Sequence, residues 1–347
     1  MSVDVTQDSH GQMSSQDSSG PPQVFHISEE PITTDPQVDD DWIDETFHVF
    51  NRAMLKFNAD SFQTPVHITQ ASDCLAEDKR TIIDISSCRY EVGIALGEGG
   101  FGKVYAATRL KDGLQVAVKF ASKTDIKYAR VCGYSSAIPL EVALQMFANR
   151  GLSVPQIIKL LDWQDEDDRY VMVLERPMPC QTMDDFLVSY TGSNYEDLVR
   201  IIMLQTTFAA QTCCLRGVLH RDIKLENLLI NPDTFEVKLI DFGCGEFLNS
   251  AGYTSFSGTK EYCPPEYWTN RHYHGKPATV WSLGVLMFLM LCRHFPRRRD
   301  LEKIKHNIWT KNGLSQECCD LICCCLQVDP KKRIELEKVC LHNWFKD

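Results

Sequence analysis

Four glycines fall within six residues at Gly97-Glu98-Gly99-Gly100-Phe101-Gly102, and both flanks are patterned as strands. Tyr90 to Leu96 alternates upstream; Lys103 to Thr108 and Gln115 to Phe120 follow at hairpin spacing. A G-x-G-x-x-G stretch that runs from a strand into a helix marks a dinucleotide fold. Here it joins two strands, so the folded body must open with an antiparallel sheet carrying a glycine-rich hairpin. Backbone amides in such a hairpin can approach phosphates without side-chain clash. A plain tight turn would not need so many glycines.

Beyond this hairpin the pattern changes from strand to helix. Pro139 reads as a first-turn residue with Leu140, Leu144 and Phe147 in helical period, and strand-like runs follow at Ile157 to Trp163 and Tyr170 to Leu174. From Gln181 onward helices dominate, at Met183 to Tyr190, Tyr195 to Leu215 and Val280 to Cys292. A β-rich lobe followed by a helical lobe predicts an α+β arrangement with a cleft between the two.

Charge separates an N-terminal arm from this body. The 347 residues carry a net charge of −11, and all eleven carboxylates of residues 1–51 stand there without a Lys or Arg. The rest is neutral, which disfavours a nucleic-acid binder that works by neutralising phosphates. Residues 1–40, rich in Ser, Gln, Asp and Pro, read as a disordered acidic arm. Residues 41–87 read as an amphipathic helix, with Ile43, Phe47, Phe50, Met54 and Phe57 on one face, and a polar connector. The longest apolar run, Val280 to Cys292, has 13 residues and falls short of a membrane span. No secretory signal is evident, so the 15 cysteines read as reduced thiols in the cytosol or nucleus.

Several residues then suit one chemistry. Lys119, inside the apolar run Val116-Ala117-Val118-Lys119, needs a partner, because an unpaired buried ammonium is costly. Glu141, on the helix 22 residues later, is the candidate. His220-Arg221-Asp222-Ile223-Lys224-Leu225-Glu226-Asn227 follows, and then Asp241-Phe242-Gly243. Asp222 can accept a hydroxyl proton, while Asn227 and Asp241 offer the hard oxygens that Mg²⁺ prefers.

In this order and spacing the motifs resemble those of eukaryotic protein kinases. Cys263-Pro264-Pro265-Glu266 stands where that family has A-P-E, and Arg333 where it has the arginine that pairs the glutamate. The similarity covers residues 88–347 and implies a two-lobed protein-kinase fold: N-lobe at about 88–174, hinge at 175–177, C-lobe at 178–347. It also implies an ATP site of Leu96, Gly97, Glu98, Gly99, Gly100, Phe101, Gly102, Lys103, Val104, Ala117, Lys119, Glu175 and Leu229. Asp222, Lys224, Lys119 and Glu141 would be catalytic, and Asn227 and Asp241 would hold Mg²⁺. Lys224 and Thr259 look like the serine/threonine class, so protein substrates with Ser or Thr acceptors are expected, and a monomer that binds neither nucleic acid nor membrane.

Leu174-Glu175-Arg176-Pro177, Tyr273-His274-Gly275 and Val280-Trp281-Ser282-Leu283-Gly284 resemble Pim-type kinases. That likeness implies basic substrates, with Asp185, Glu226 and Asp300 at matching positions, although Arg297-Arg298-Arg299 lies close by. Pro177 has no N–H to offer adenine, which predicts weakened ATP binding. Arg221 could pair a phosphate on the 241–266 segment, which the likeness makes optional. Gln145 and Thr279 depart from common kinase residues, an apolar one and an aspartate, and leave a catalytically weak scaffold as the rival reading. The cysteine cluster 318–325 lacks zinc spacing.

Overall fold

The computed structural model describes residues 24–26 and 81–346. The amphipathic helix read at 41–58, and the acidic arm apart from three residues, lie outside the described residues. Those three, Val24–His26, form strand β1, which runs parallel to β6 (Tyr128–Arg130). Ordering a polar segment at this point needs a strand edge to pair with, and composition does not reveal that edge.

The N-terminal lobe is a six-stranded antiparallel sheet in the order β2-β3-β4-β5-β9-β8. Its strands are β2 (Thr81–Ile85), β3 (Cys88–Gly99), β4 (Gly102–Arg109), β5 (Gln115–Ser122), β8 (Leu160–Asp165) and β9 (Arg169–Glu175). The connector read as ending at residue 87 therefore stops earlier. Thr81–Ile85 pairs with β3 from Thr81↔Val92 to Ile85↔Cys88, and burial of Ile85 beside Tyr90 stabilises that hairpin. Period-two alternation on β5 sends Val116 and Val118 into the small upper core with Val171 and Val173. The same alternation turns Ala117 and Lys119 to the opposite face.

Helix α1 (Leu140–Ala148) lies across that face, entered from the short strand β7 (Ile138–Pro139). Pro139, read as a first-turn residue, sits instead at the N-cap with ψ of 135°, because it is still paired in β7 and the helix begins only at Leu140. The C-terminal lobe is built on α3 (Tyr195–Leu215) and α5 (Gly275–Cys292), with α2 (Met183–Ser189), α4 (Pro265–Asn270), α6 (Arg298–Lys305) and α7 (Gln316–Cys325) around them. The helices α3 and α5 are long and apolar enough to cross a bilayer, but their apolar stretches are 89% and 78% buried inside the lobe. They are the apolar-all-round core helices of a globular lobe.

Small ladders at the lobe junction place the chemistry. Strand β12 (Leu228–Ile230) pairs with β10 (Gln181–Thr182) and β13 (Val237–Leu239); β11 (Val218–Leu219) pairs with β14 (Glu246–Phe247). These pairings bring residues 220–227 and 241–245 side by side under the sheet.

Candidate active site

Lys119 reaches from β5 to the helix and to the lower lobe at once. Its Nζ is 2.5 Å from Glu141 Oε1 and donates to Asp241 Oδ1 at 2.9 Å. Glu141 Oε2 accepts from the Tyr170 hydroxyl at 2.7 Å, so a buried carboxylate is engaged at both oxygens. Burial disfavours the ammonium, yet Glu141 and Asp241 outweigh it and raise the Lys119 pKa. Burial likewise would raise the Asp241 carboxyl, but Lys119 and the Gly243 N–H prevail and hold it below the ordinary value.

Asp222 is fixed from three directions. Its Oδ1 accepts from the Thr259 N–H at 2.8 Å, and its Oδ2 from Asn227 Nδ2 at 3.0 Å. Lys224 Nζ lies 3.0 Å from the same Oδ2 and donates to Thr259 Oγ1 at 2.8 Å. The loop carrying Asp222 is itself tied down by His220, whose Nε2–H donates to the Ile240 carbonyl at 3.0 Å. Its Nδ1 accepts from the Asp222 N–H at 3.3 Å, which fits that tautomer. The imidazole packs edge-on against Phe242, ring centroids 4.8 Å apart. Burial keeps it neutral by lowering its pKa.

The donor set suits a hard cation. Among the described residues, the Asn227 side chain donates its hydrogen bonds from Nδ2, and the Asp241 side chain accepts at Oδ1. Asn227 Oδ1 and Asp241 Oδ2 are left as oxygens for Mg²⁺, which takes carboxylate, carbonyl and phosphate oxygens.

The glycine hairpin suits a phosphate ligand. Gly97 pairs with Val104, Glu98 with Lys103 and Gly99 with Gly102. A Cβ on Gly97, Gly99 or Gly100 would meet nothing within 4 Å, so internal packing does not require those glycines. Gly102 is different: its φ is +137°, and a Cβ there would fall 2.2 Å from the Phe120 carbonyl oxygen. Phe101 at the tip folds inward until its ring meets Gly243, 5.9 Å from Lys119 Nζ. A cavity of about 1570 Å³ opens beside it, lined by Gly100, Lys103, Glu141, Gly243 and Ser257. It opens on the α1 side of the hairpin, and Lys119, Asp222, Asn227 and Asp241 do not line it. Leu96 and Val104 are on the hairpin strands, Ala117 on β5, Glu175 at the end of β9 and half-buried Leu229 on β12, outside that lining.

Three sequence expectations need correction. Arg221 is not open to a phosphate: it donates to the Cys244 carbonyl at 2.6 Å and the Gly245 carbonyl at 3.0 Å, and lies 3.7 Å from Glu246. Asp300 is not a free side chain: it accepts from the Arg297 N–H at 3.0 Å in a capping box of α6, as Asp185 accepts from the Thr182 hydroxyl at 2.6 Å. Gln145 is no packing defect, because its Nε2 donates to the Ile158 carbonyl. Thr279 turns back to the Gly275 carbonyl at 3.0 Å, leaving a void of about 10 Å³, lined by Leu219, Arg221 and Ser282 among others, where a longer side chain would reach the catalytic loop.

The described cysteines are all free thiols. Burial pushes the Cys244 thiol up to about 11, so it is inert at neutral pH. Cys324 shares a corner with Asp320 and His342. His342 Nδ1 accepts from the Trp344 N–H, so its proton sits on Nε2 toward Asp320 and not on a free ligand nitrogen. Glu246 was missed altogether: an acidic residue in a two-residue strand carries no sequence signal unless its cationic neighbours are known.

Residues 90–345 match the protein kinase domain. The chain is 39% identical over 263 residues to serine/threonine-protein kinase pim-2 of Danio rerio, covering 74% of this chain and 84% of that protein. It is 37% identical over 262 residues to serine/threonine-protein kinase prk-2 of Caenorhabditis elegans, covering 74% and 58%. A carbon catabolite-derepressing protein kinase of Candida albicans matches at 32% over 266 residues, 74% and 41%. With the ordered Lys119–Glu141–Asp241 and Asp222–Asn227–Lys224 groups in its cleft, the chain belongs to the protein kinase family, as a serine/threonine kinase of the Pim type.

Proposed function

We propose that this kinase uses the Mg²⁺ complex of ATP and that Asp222 directs the acceptor hydroxyl. The observation that carries the reading is the carboxylate of Asp222, held at both oxygens by Thr259, Asn227 and Lys224. Bound Mg²⁺ would neutralise charge on the phosphates, and Asn227 and Asp241 would hold it. Lys119, steadied by Glu141, would contact the α- and β-phosphates under the glycine hairpin. Lys224 would sit beside the transferred phosphoryl group. The Asp222 carboxylate would orient a Ser or Thr hydroxyl for in-line attack and take its proton. Positioning and electrostatics account for the catalysis; no covalent enzyme intermediate is needed.

Substrates with basic residues near the acceptor fit the acidic rim. Asp184 and Asp185 open α2, and exposed Glu226 stands beside the catalytic loop. Asp300 keeps its charge while capping α6, and exposed Arg297, Arg298 and Arg299 beside it oppose the preference, which is therefore moderate. A positional peptide array with Mg·ATP tests this: enrichment of Arg or Lys near the acceptor is expected, and a flat profile would refute it. All the catalytic groups come from one chain, which supports a monomer. The free thiols support residence in the cytosol or nucleus. The balanced charge of the body supports neither nucleic acid nor membrane as a partner.

A further inference from the structure

Glu246 is a buried carboxylate that the transfer chemistry leaves unused. Register fixes its position: β14 pairs with β11 through Leu219↔Glu246, one residue before His220-Arg221-Asp222. Lys127 Nζ lies 2.8 Å from its Oε2, and Arg221 Nη2 3.7 Å from the same oxygen. The Phe247 N–H donates to Oε1 at 3.3 Å. The Arg221 side chain is only 6% exposed, so its charge needs compensation, and Glu246 with the Cys244 and Gly245 carbonyls supplies it.

Lys127 brings in the upper lobe. Its backbone carbonyl accepts from the Leu140 N–H at 2.8 Å, at the first residue of α1. The next residue is Glu141, the partner of Lys119. A continuous path therefore runs from the catalytic loop at Arg221, through Glu246 at the start of the activation segment, to Lys127 and the helix that positions Glu141. One carboxylate joins three elements from two lobes.

We propose that Glu246 is a positioning residue for phosphoryl transfer, a built-in counter-ion that holds α1 against the catalytic loop where a phosphate on the activation segment would otherwise be needed. This rests on the kinase reading. Glu246 touches neither nucleotide site nor acceptor site; it acts through Lys127 on Glu141 and through Arg221 on Asp222.

The test compares Lys127→Met, Glu246→Gln and the double variant in the full chain, treated with phosphatase beforehand. Lys127 is 37% exposed and its loss leaves Glu246 facing Arg221, so this variant keeps its fold, as a thermal melt will show. Lys127→Met is expected to lower kcat about ten-fold with KM for peptide nearly unchanged, and the double variant to be no worse than Glu246→Gln alone, as for coupled neighbours. Amide exchange across residues 140–148 is expected to quicken in both single variants. Exchange needs no turnover, so a wild type without turnover would count against the kinase reading only. Unchanged exchange in α1 with wild-type kcat in Lys127→Met, or effects that multiply in the double variant, would overturn the proposal.

Discussion

Gln145 donates its side-chain N–H to the Ile158 carbonyl at 2.6 Å, from a position that is 1% exposed. Asn149 Nδ2 donates to the same carbonyl at 3.0 Å, and its Oδ1 accepts from the Leu160 N–H at 2.9 Å. The amides latch the end of α1 to the segment entering β8. Gln145→Ala removes a hydrogen bond and opens a cavity, and should cost about 2–3 kcal/mol. Gln145→Leu fills the space, and Asn149 still satisfies Ile158, so its cost should stay below about 1.5 kcal/mol. Denaturant melts of both variants decide this; equal losses would show that the latch does not depend on shape.

Pro177 removes a donor from the hinge. A two-bond hinge holds adenine through one carbonyl and one N–H; with the Glu175 carbonyl in the first role, Pro177 would leave the second unfilled. Pro177→Ala should tighten ATP binding by roughly 1 kcal/mol, about five-fold in Kd. Calorimetric titration with an ATP analogue checks this, and an unchanged Kd would place the adenine contacts elsewhere.

His220 makes stability depend on pH. Burial lowers its folded pKa below the ordinary 6.5, so below that value the unfolded chain binds a proton that the folded one does not. Its contribution is therefore constant above about pH 6.5 and falls as pH drops through that value, by at most about 1.4 kcal/mol per unit. His220→Phe keeps the ring against Phe242 but cannot titrate. The loss of stability between pH 7 and 5.5 should be smaller in this variant, although its stability at pH 7 is lower for want of the Ile240 bond. Parallel losses would remove His220 as the cause.

Arg333 and Glu266 form a buried pair, with Nη1 donating to Oε1 at 2.8 Å and Nη2 to Oε2, while Arg333 also reaches the Pro277 and Gln327 carbonyls. Glu266→Gln strands a buried guanidinium and should cost about 3–5 kcal/mol. A double variant, Glu266→Gln with Arg333→Met, should recover part of that loss. Melting curves for the three proteins measure the recovery, and its absence would mean that the pair contributes nothing beyond its packing.

Much of the site was legible because its residues come in short strings with fixed roles. The glycine hairpin, the lysine inside an apolar strand, and the 220–227 and 241–243 strings each state a chemistry, and hairpin spacing states that the first lies on a sheet. What stayed hidden depends on partners far along the chain. Glu246 needs the β11–β14 register before it can be placed next to Arg221. Gln145 read only as a departure from an apolar residue because its acceptor is a backbone carbonyl, which no side-chain pattern advertises. Thr81–Ile85 looked like a connector because a single strand shows no partner, and only pairing with β3 makes it one. The capping role of Asp300 is likewise invisible until the start of α6 is fixed.

The most direct test of the account is phosphoryl transfer itself. Purified wild type and Asp222→Asn are compared with radiolabelled ATP, Mg²⁺ and a Ser/Thr peptide rich in basic residues, with nucleotide binding measured on both. Asparagine keeps the shape of Asp222 but cannot take the proton, so transfer should fall by about 10²-fold or more while ATP binding persists. Equal transfer by both proteins, or none above the variant from a wild type that still binds ATP, would contradict the assignment of Asp222.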